Sequence, residues 1–142
     1  MPTEKGRSGG CLCGGVRYRV KGALIDVSAC HCSQCRKTTG HFFASTTCSL
    51  EALKFENEET LSWYESSTGA HRGFCSRCGS SLFWQPDEQD ATGILAGSLD
   101  QPTGLNTMGH IFVGEKADFY EISDPLPQFE KSSDGALKDD SL

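Results

Sequence analysis

The sequence predicts a mainly β domain, and three observations support that fold class. Short segments alternate apolar with polar residues, and no segment carries an apolar stripe of helical period. Glycine is abundant, with 16 in 142 residues, and apolar residues make up only 37% of the chain, as is typical of short strands joined by many turns. Seven of the eight cysteines fall into three tight clusters. We therefore expect short antiparallel sheets fastened together by these clusters.

The predicted strands are short and follow one another along most of the chain. The clearest one covers residues 16–21, where Val16 and Tyr18 alternate with basic residues. Residues 36–40 are expected to form a loop or a single helical turn that a glycine ends. The remaining predicted strands cover residues 24–29, 41–47, a short part of 49–59, and then 61–64, 73–75, 81–84, 92–97, 111–113 and 118–122.

One folded domain is expected over residues 9–130. Residues 1–8 are polar and predicted to be a mobile N-terminus, and residues 131–142 are small, charged and poor in apolar side chains, which predicts a disordered tail. No apolar run follows the first charges, so a signal peptide is not predicted, and no window approaches the roughly 18 apolar residues of a membrane span. These features favour a cytoplasmic location, where clustered cysteines indicate metal binding or catalysis rather than disulfides.

The charge of the chain argues against a nucleic-acid partner. Its formal net charge is −6 before any cysteine thiolate is counted. The basic residues are scattered, and the longest basic run is Arg36-Lys37. A phosphate backbone would be repelled by such a field, so binding of nucleic acid is not expected.

Two of the cysteine clusters are predicted to share a structural zinc ion. Cys11 and Cys13 stand two apart, so in an extended chain both side chains face the same side. Cys75 and Cys78 have the Cys-X-X-Cys spacing of a zinc knuckle. Four thiolates complete a closed tetrahedral site, and this one would join distant parts of the chain.

The central cluster, Cys30, Cys32 and Cys35, predicts a second zinc ion with a different role. Three thiolates from one short segment leave the fourth position to water or substrate, as in catalytic zinc sites. An open position beside three thiolates suits a soft ligand such as a substrate thiolate. The alternative is a closed structural site whose fourth ligand comes from Cys48 or from a histidine.

The other candidate residues carry weaker signals. Cys48 lacks a neighbouring ligand and is interpreted as a buried free thiol. His31 lies between two ligands and should project to the opposite side, either as a proton carrier beside the zinc or as a supporting side chain. His41, His71 and His110 follow no ligand spacing and are interpreted as structural.

Basic residues next to the clusters are a further candidate for substrate binding. Arg36, Lys37 and Arg72 are close in sequence to predicted ligands and could bind substrate carboxylates. Charged residues of this kind are mostly exposed, so each is interpreted first as a solvated surface charge.

Three motifs of the chain carry a family resemblance: GCLCGGVRY at residues 10–18, CHCSQCRK at residues 30–37 and FCSRCGS at residues 74–80. With these motifs the chain resembles the glutathione-dependent formaldehyde-activating enzyme family, which also includes centromere protein V, and the likeness spans nearly all of residues 9–130. It continues through AGSLDQP at residues 96–102, HIFVGEKA at residues 110–117 and LPQF at residues 126–129.

The resemblance implies a β-tent fold that holds two zinc ions per chain. It assigns Cys11, Cys13, Cys75 and Cys78 to the structural zinc, and Cys30, Cys32 and Cys35 to the catalytic zinc. The implied activity is that of a carbon–sulfur lyase, which condenses glutathione with formaldehyde to S-hydroxymethylglutathione and reverses that reaction. The implied partners are thus a small thiol and an aldehyde, or their adduct. A non-catalytic zinc scaffold or protein-interaction module is the alternative, and a fourth protein ligand at the second zinc would favour it.

Overall fold

The computed structural model describes residues 7–137, which form two β-sheets and one short α-helix. The smaller sheet has three strands in the order β1-β2-β5, and the larger has seven in the order β10-β3-β4-β9-β8-β7-β6. The strands are β1 Arg7–Gly10, β2 Arg17–Val20, β3 Val27–Cys30, β4 Phe43–Ser49, β5 Leu53–Asn57, β6 Leu61–Ser67, β7 Ala70–Cys75, β8 Ser81–Pro86, β9 Ala91–Leu95 and β10 Thr107–Ile111. The mainly β prediction is confirmed.

The core lies between the two sheets. Tyr18 of β2 is fully buried, and its ring packs edge-on against Phe83 of β8 with the ring centroids 5.3 Å apart. Phe55 of β5 meets the same Phe83 ring at 5.7 Å. The Tyr18 hydroxyl lies 2.6 Å from Ser98 Oγ, so the buried polar atom has a partner. The period-2 pattern of β2 therefore reflects one face turned to this core.

The helix α1, Ser33–Thr39, lies across the larger sheet. Gly40 ends it in the left-handed conformation with φ 86°, which a glycine adopts without strain, and its N–H donates to Arg36 O. The Gln34 side chain donates to Ser66 O of β6, and the Ser81 hydroxyl of β8 donates to Thr38 O. The loop or single turn predicted over residues 36–40 is thus the second half of a seven-residue helix.

Two strand predictions differ from the structure. β10 pairs in parallel with β3, so the larger sheet is not wholly antiparallel as expected. Residues 118–122 form a turn and irregular backbone instead of a strand. The ammonium group of Lys116 donates hydrogen bonds to the carbonyl oxygens of Ala117 and Tyr120. In a strand, such carbonyl oxygens would accept hydrogen bonds from a neighbouring strand.

The predicted terminal boundaries also need correction within the described residues. Arg7 and Ser8 pair with β2 as part of β1, so the mobile N-terminus predicted over residues 1–8 does not include them. In the predicted disordered tail, Leu137 is 6% exposed and packs close to Gly109, and its N–H donates to Ser133 Oγ at 2.9 Å. Residues 1–6 and 138–142 lie outside the described part of the chain.

No helix within residues 7–137 combines the length and the apolar character that crossing a membrane requires.

Candidate metal centres

Four cysteines that lie far apart in sequence meet in one cluster, which we call the four-cysteine cluster. The sulfur atoms of Cys11, Cys13, Cys75 and Cys78 all lie within 4.8 Å of one another. The distances from Cys13 Sγ to Cys11 Sγ and to Cys75 Sγ are both 3.7 Å. Sulfurs placed tetrahedrally at about 2.3 Å from a zinc ion are roughly 3.8 Å apart. The cluster therefore has the dimensions of a closed four-thiolate zinc site.

The turn between β7 and β8 presents two of these sulfurs. Cys75 ends β7, and its sulfur accepts hydrogen bonds from the N–H groups of Arg77 and Cys78, both at 3.3 Å. Gly79 follows with φ 80°, the left-handed conformation that closes the turn. The Ser80 hydroxyl, 3.2 Å from Cys78 Sγ, and the Ser80 N–H lower the pKa of Cys78 to about 5. These donors favour the thiolate forms that bind metal.

The other two sulfurs of this cluster come from the turn that links β1 to β2 in the smaller sheet. Val16 N–H donates to Cys11 Sγ at 3.2 Å, which fixes the orientation of that side chain. Thr60 lies next to the larger sheet, with its hydroxyl 3.1 Å from Cys75 Sγ, and its N–H donates to Gly15 O. The four-cysteine cluster thus sits where the two sheets meet.

The three-cysteine cluster, Cys30, Cys32 and Cys35, is built at the junction of β3 and α1. Cys30 ends β3, Cys32 is the N-cap of α1, and Cys35 lies in its first turn. The Cys35 N–H donates to Cys32 Sγ at 3.3 Å, and the three sulfurs lie within 4.8 Å of one another. The strand end and the helical turn therefore aim three thiols at one point, as the spacing predicts. Both clusters could bind metal ions.

All three of these cysteines line a cavity of about 340 Å³. None of the four sulfurs of the other cluster belongs to its lining. Apolar side chains form much of the wall, among them Phe43, Trp84, Ile111 and Phe112. A ligand of small-molecule size could therefore reach the three-cysteine cluster through a largely apolar cavity.

Arg72 of β7 lines the same cavity and is only 6% exposed. Its Nη2 lies 3.6 Å from Cys35 Sγ and donates to Gln34 Oε1 at 2.9 Å. The interpretation of Arg72 as a solvated surface charge is therefore wrong. The pairing of β7 with β8 and the position of α1 across the sheet bring this cation, 37 positions from Cys35, to the cluster.

No other cysteine or histidine joins the three-cysteine cluster within residues 7–137. Cys48 lies in the hydrophobic core, where burial raises the pKa of its thiol to about 11, in agreement with a buried free thiol. His71 Nδ1 lies 2.7 Å from Asp87 Oδ1, and the ring of His41 packs against that of Tyr120.

His31 points away from the cysteine cavity and lines a second, smaller one of about 170 Å³. Its Nδ1 contacts the Tyr120 hydroxyl, and its Nε2 lies 3.0 Å from His110 Nδ1. His110 Nε2 donates to the carboxylate of Asp124 at 3.0 Å. Burial first, and then the charge of His110, lower the pKa of His31 to about 4, so the ring is neutral at pH 7. Its predicted role in proton transfer stays a prediction.

Sequence reasoning missed two features of this region. The first is the burial of Arg72 against Gln34; its only sequence signal is its position three residues before Cys75. The second is the chain of hydrogen bonds from His31 through His110 to Asp124. His31 directly follows β3 and His110 lies in the parallel neighbour β10, so the two histidines are 79 positions apart in sequence. No sequence pattern pairs these residues in advance.

Comparison with known proteins gives the same family that the motifs indicate. The family model described as glutathione-dependent formaldehyde-activating enzyme matches residues 6–115. An uncharacterized lyase of Schizosaccharomyces pombe is 33% identical over 133 residues, which cover 91% of this chain and 92% of that protein. A Halomonas elongata protein, provisionally named a glutathione-dependent formaldehyde-activating enzyme, is 30% identical over 125 residues, with 80% of this chain and 79% of that protein covered.

A solved structure has a similar fold. The crystal structure of a Rhodobacter sphaeroides protein superimposes with a TM-score of 0.57 at 28% identity. The match covers 70% of this chain and 97% of that protein. Since the family model spans well over half of the sequence, the chain belongs to the glutathione-dependent formaldehyde-activating enzyme family.

Proposed function

We propose that this protein is a zinc-dependent carbon–sulfur lyase that joins a small thiol to an aldehyde and also reverses that reaction. Glutathione and formaldehyde are the pair that the family description and the Halomonas relative's name indicate. The observation that carries the proposal is the cavity of about 340 Å³ lined by Cys30, Cys32 and Cys35. A structural metal site has no need of such a cavity, whereas a catalytic one must admit its substrate.

The donor set fits zinc in both clusters. Four closely spaced sulfurs suit a closed structural site, and three sulfurs beside a cavity suit a site with one open position. We assign Cys11, Cys13, Cys75 and Cys78 to the structural zinc, and Cys30, Cys32 and Cys35 to the catalytic one. Zinc bound there supplies a Lewis acid and a position open to a soft ligand such as a thiolate.

The proposed reaction needs little covalent chemistry from the protein. The thiol loses its proton to water, and its sulfur forms a bond to the carbonyl carbon as the π bond of the carbonyl group breaks. The carbonyl oxygen then takes up a proton from water to become a hydroxyl group. Ser45 and Thr47 line the cavity, and their hydroxyl groups are candidates to donate hydrogen bonds to that oxygen. Phe43 and Trp84 keep water from much of the wall, and so strengthen those interactions.

The alternative of a zinc scaffold finds less support. It requires a fourth protein ligand at the second zinc, for which Cys48 and the histidines were the candidates. Cys48 packs in the core, and His31 lines a different cavity. Both observations favour an open position over a closed one.

Protein expressed in a reducing cytosol and purified without chelator should contain two zinc ions per chain. The reason is that the two clusters supply separate sets of four and three sulfurs. Elemental analysis by mass spectrometry measures the ratio. Cys48→Ser is the matched control, since it removes a thiol outside both clusters and should leave the ratio at two. One zinc per chain, or an iron–sulfur absorption spectrum, would contradict the two-site assignment.

The zinc-loaded protein should accelerate the exchange between free formaldehyde and S-hydroxymethylglutathione. Exchange spectroscopy by NMR with ¹³C-labelled formaldehyde and glutathione measures the rate against the spontaneous reaction. The Cys48→Ser protein should match the wild type. A rate equal to the spontaneous one for glutathione and for small thiols such as 2-mercaptoethanol would remove the case for an enzyme and favour the scaffold.

A further inference from the structure

Arg72 is a buried cation without a carboxylate partner among the described residues. The ion pairs of arginines within residues 7–137 involve Arg17, Arg19 and Arg77, but not Arg72. A buried charge is normally paired, because its removal from water is costly. The group that faces Arg72 is instead a cysteine sulfur, since Nη2 lies 3.6 Å from Cys35 Sγ, and a cysteine binds zinc as the negatively charged thiolate. Its charge is therefore directed at the three-cysteine cluster.

The guanidinium group is held in one orientation by its neighbours. Nε and Nη2 both donate to Gln34 Oε1, at 3.3 and 2.9 Å, and Gln34 is itself fixed by its bond to Ser66 O at 3.1 Å. Nη1 lies 3.4 Å from Thr38 Oγ1, and the Phe43 ring lies beneath the guanidinium at 5.0 Å. Arg72 is thus a fixed positive charge at the cavity wall.

Arg72 is the one residue with a fixed charge among the described side chains that line the cavity. Three thiolates around a divalent zinc leave one negative charge, and a substrate thiolate adds a second. Apolar walls strengthen the interaction of these charges with a nearby cation. By contrast, the side chain of Arg77 near the four-cysteine cluster is 55% exposed and pairs with Glu59 at 3.5 Å. Water and that carboxylate screen its charge.

We propose that Arg72 is a positioning residue that makes the cavity selective for an ionised thiol. Its fixed positive charge compensates the negative charge that a substrate thiolate brings beside Cys35, until the carbon–sulfur bond forms and that charge passes to the aldehyde oxygen. The inference rests on the proposed function, because it concerns the thiol of the same reaction. It adds that the thiol is held as a thiolate and that Arg72 is the residue that favours this form.

The test compares thiol binding to zinc-loaded wild type, Arg72→Gln and Arg77→Gln at one pH. The probe is 2-mercaptoethanol, which has no carboxylate, so an effect of Arg72 on its binding cannot come from a carboxylate contact. Isothermal titration calorimetry measures its affinity, and ethylene glycol is the oxygen analogue that should not bind. We expect binding to Arg72→Gln to be weaker by about tenfold or more, the scale of one buried charge interaction. Arg77→Gln, which removes the same charge beside the other cluster, should bind as the wild type does.

Zinc content, measured on each sample, separates the possible outcomes. If wild type and Arg72→Gln hold two zinc ions and bind the thiol equally well, the role of Arg72 is overturned while the proposed function stands. If the wild type binds no thiol, the proposed function fails, and this inference fails with it. If Arg72→Gln loses the second zinc, Arg72→Lys decides, because it keeps the charge. If Arg72→Lys holds two zinc ions and binds the thiol, the result supports a role for the positive charge at position 72. If Arg72→Lys loses zinc and thiol binding as Arg72→Gln does, that role is overturned.

Discussion

Replacement of Cys75 with serine is expected to unfold the domain or reduce its stability severely. Cys75 lies 62 positions from Cys13, and the cluster they share joins the turn after β1 to the β7–β8 turn of the other sheet. A structural zinc contributes on the order of 10 kcal/mol in small zinc domains. Domains of this size have a total free energy of unfolding of only about 5–15 kcal/mol. Loss of this one metal can therefore cancel most of the stability.

Thermal melting followed by circular dichroism, together with zinc content, measures the effect. The matched control is Cys48→Ser, which changes a buried thiol of the same core that belongs to neither cluster. Its melting temperature should fall only by the amount that is usual when a polar hydroxyl group replaces a buried thiol. A cooperative transition of Cys75→Ser within a few degrees of the control would show that the four-cysteine cluster does not hold the sheets together.

The grouping of the cysteines in the candidate site was largely predictable from the sequence, because closely spaced cysteines obey short-range rules. Residues two apart on an extended chain share a side, which predicts that Cys11 and Cys13 lie together, and in the structure a turn brings their sulfurs together. The same rule places His31 opposite Cys30, which agrees with the separate cavity that His31 lines. The side of the chain on which a residue projects depends only on the local backbone, so it can be predicted before the fold is known.

The environment of the site was not predictable, because it depends on how distant segments pack. Arg72 looks like any surface arginine in the sequence, and it becomes a cavity residue only when α1 crosses the sheet and Gln34 meets β7. The strand predicted over residues 118–122 failed for a related reason. Its apolar pattern arises from Tyr120, which bonds to His31, and from Phe119, which is 61% exposed, rather than from a strand with one buried face.

Composition likewise misjudged the described part, residues 131–137, of the predicted disordered tail. Its charge and its lack of apolar residues predict disorder. A single leucine, Leu137, nevertheless packs next to Gly109, where the absent side chain leaves room for it. Lys131 O accepts from Phe112 N–H at 2.8 Å, so part of the backbone is also paired. One buried contact and a few backbone bonds are too small a signal for a composition argument to detect.

Replacement of Cys32 with serine is expected to abolish activity while the fold survives. The ligands of the three-cysteine cluster come from one six-residue segment, so the metal there closes almost no loop and adds little to stability. Serine is also a favoured N-cap, and it can accept the Cys35 N–H bond that Cys32 Sγ accepts. The start of α1 should therefore be preserved. We expect one zinc per chain and at least about a hundredfold lower exchange rate, the scale of losing a catalytic group.

The comparison between the two serine variants decides between enzyme and scaffold. Both substitutions remove one thiol from a cysteine cluster that could bind a metal ion, so they differ only in what each cluster connects. Cys32→Ser should melt within a few degrees of the wild type, far above Cys75→Ser. If the two variants melt equally low, the metal of the three-cysteine cluster is structural as well. The cavity beside it would then be no argument for catalysis, and the scaffold would be the better account of the protein.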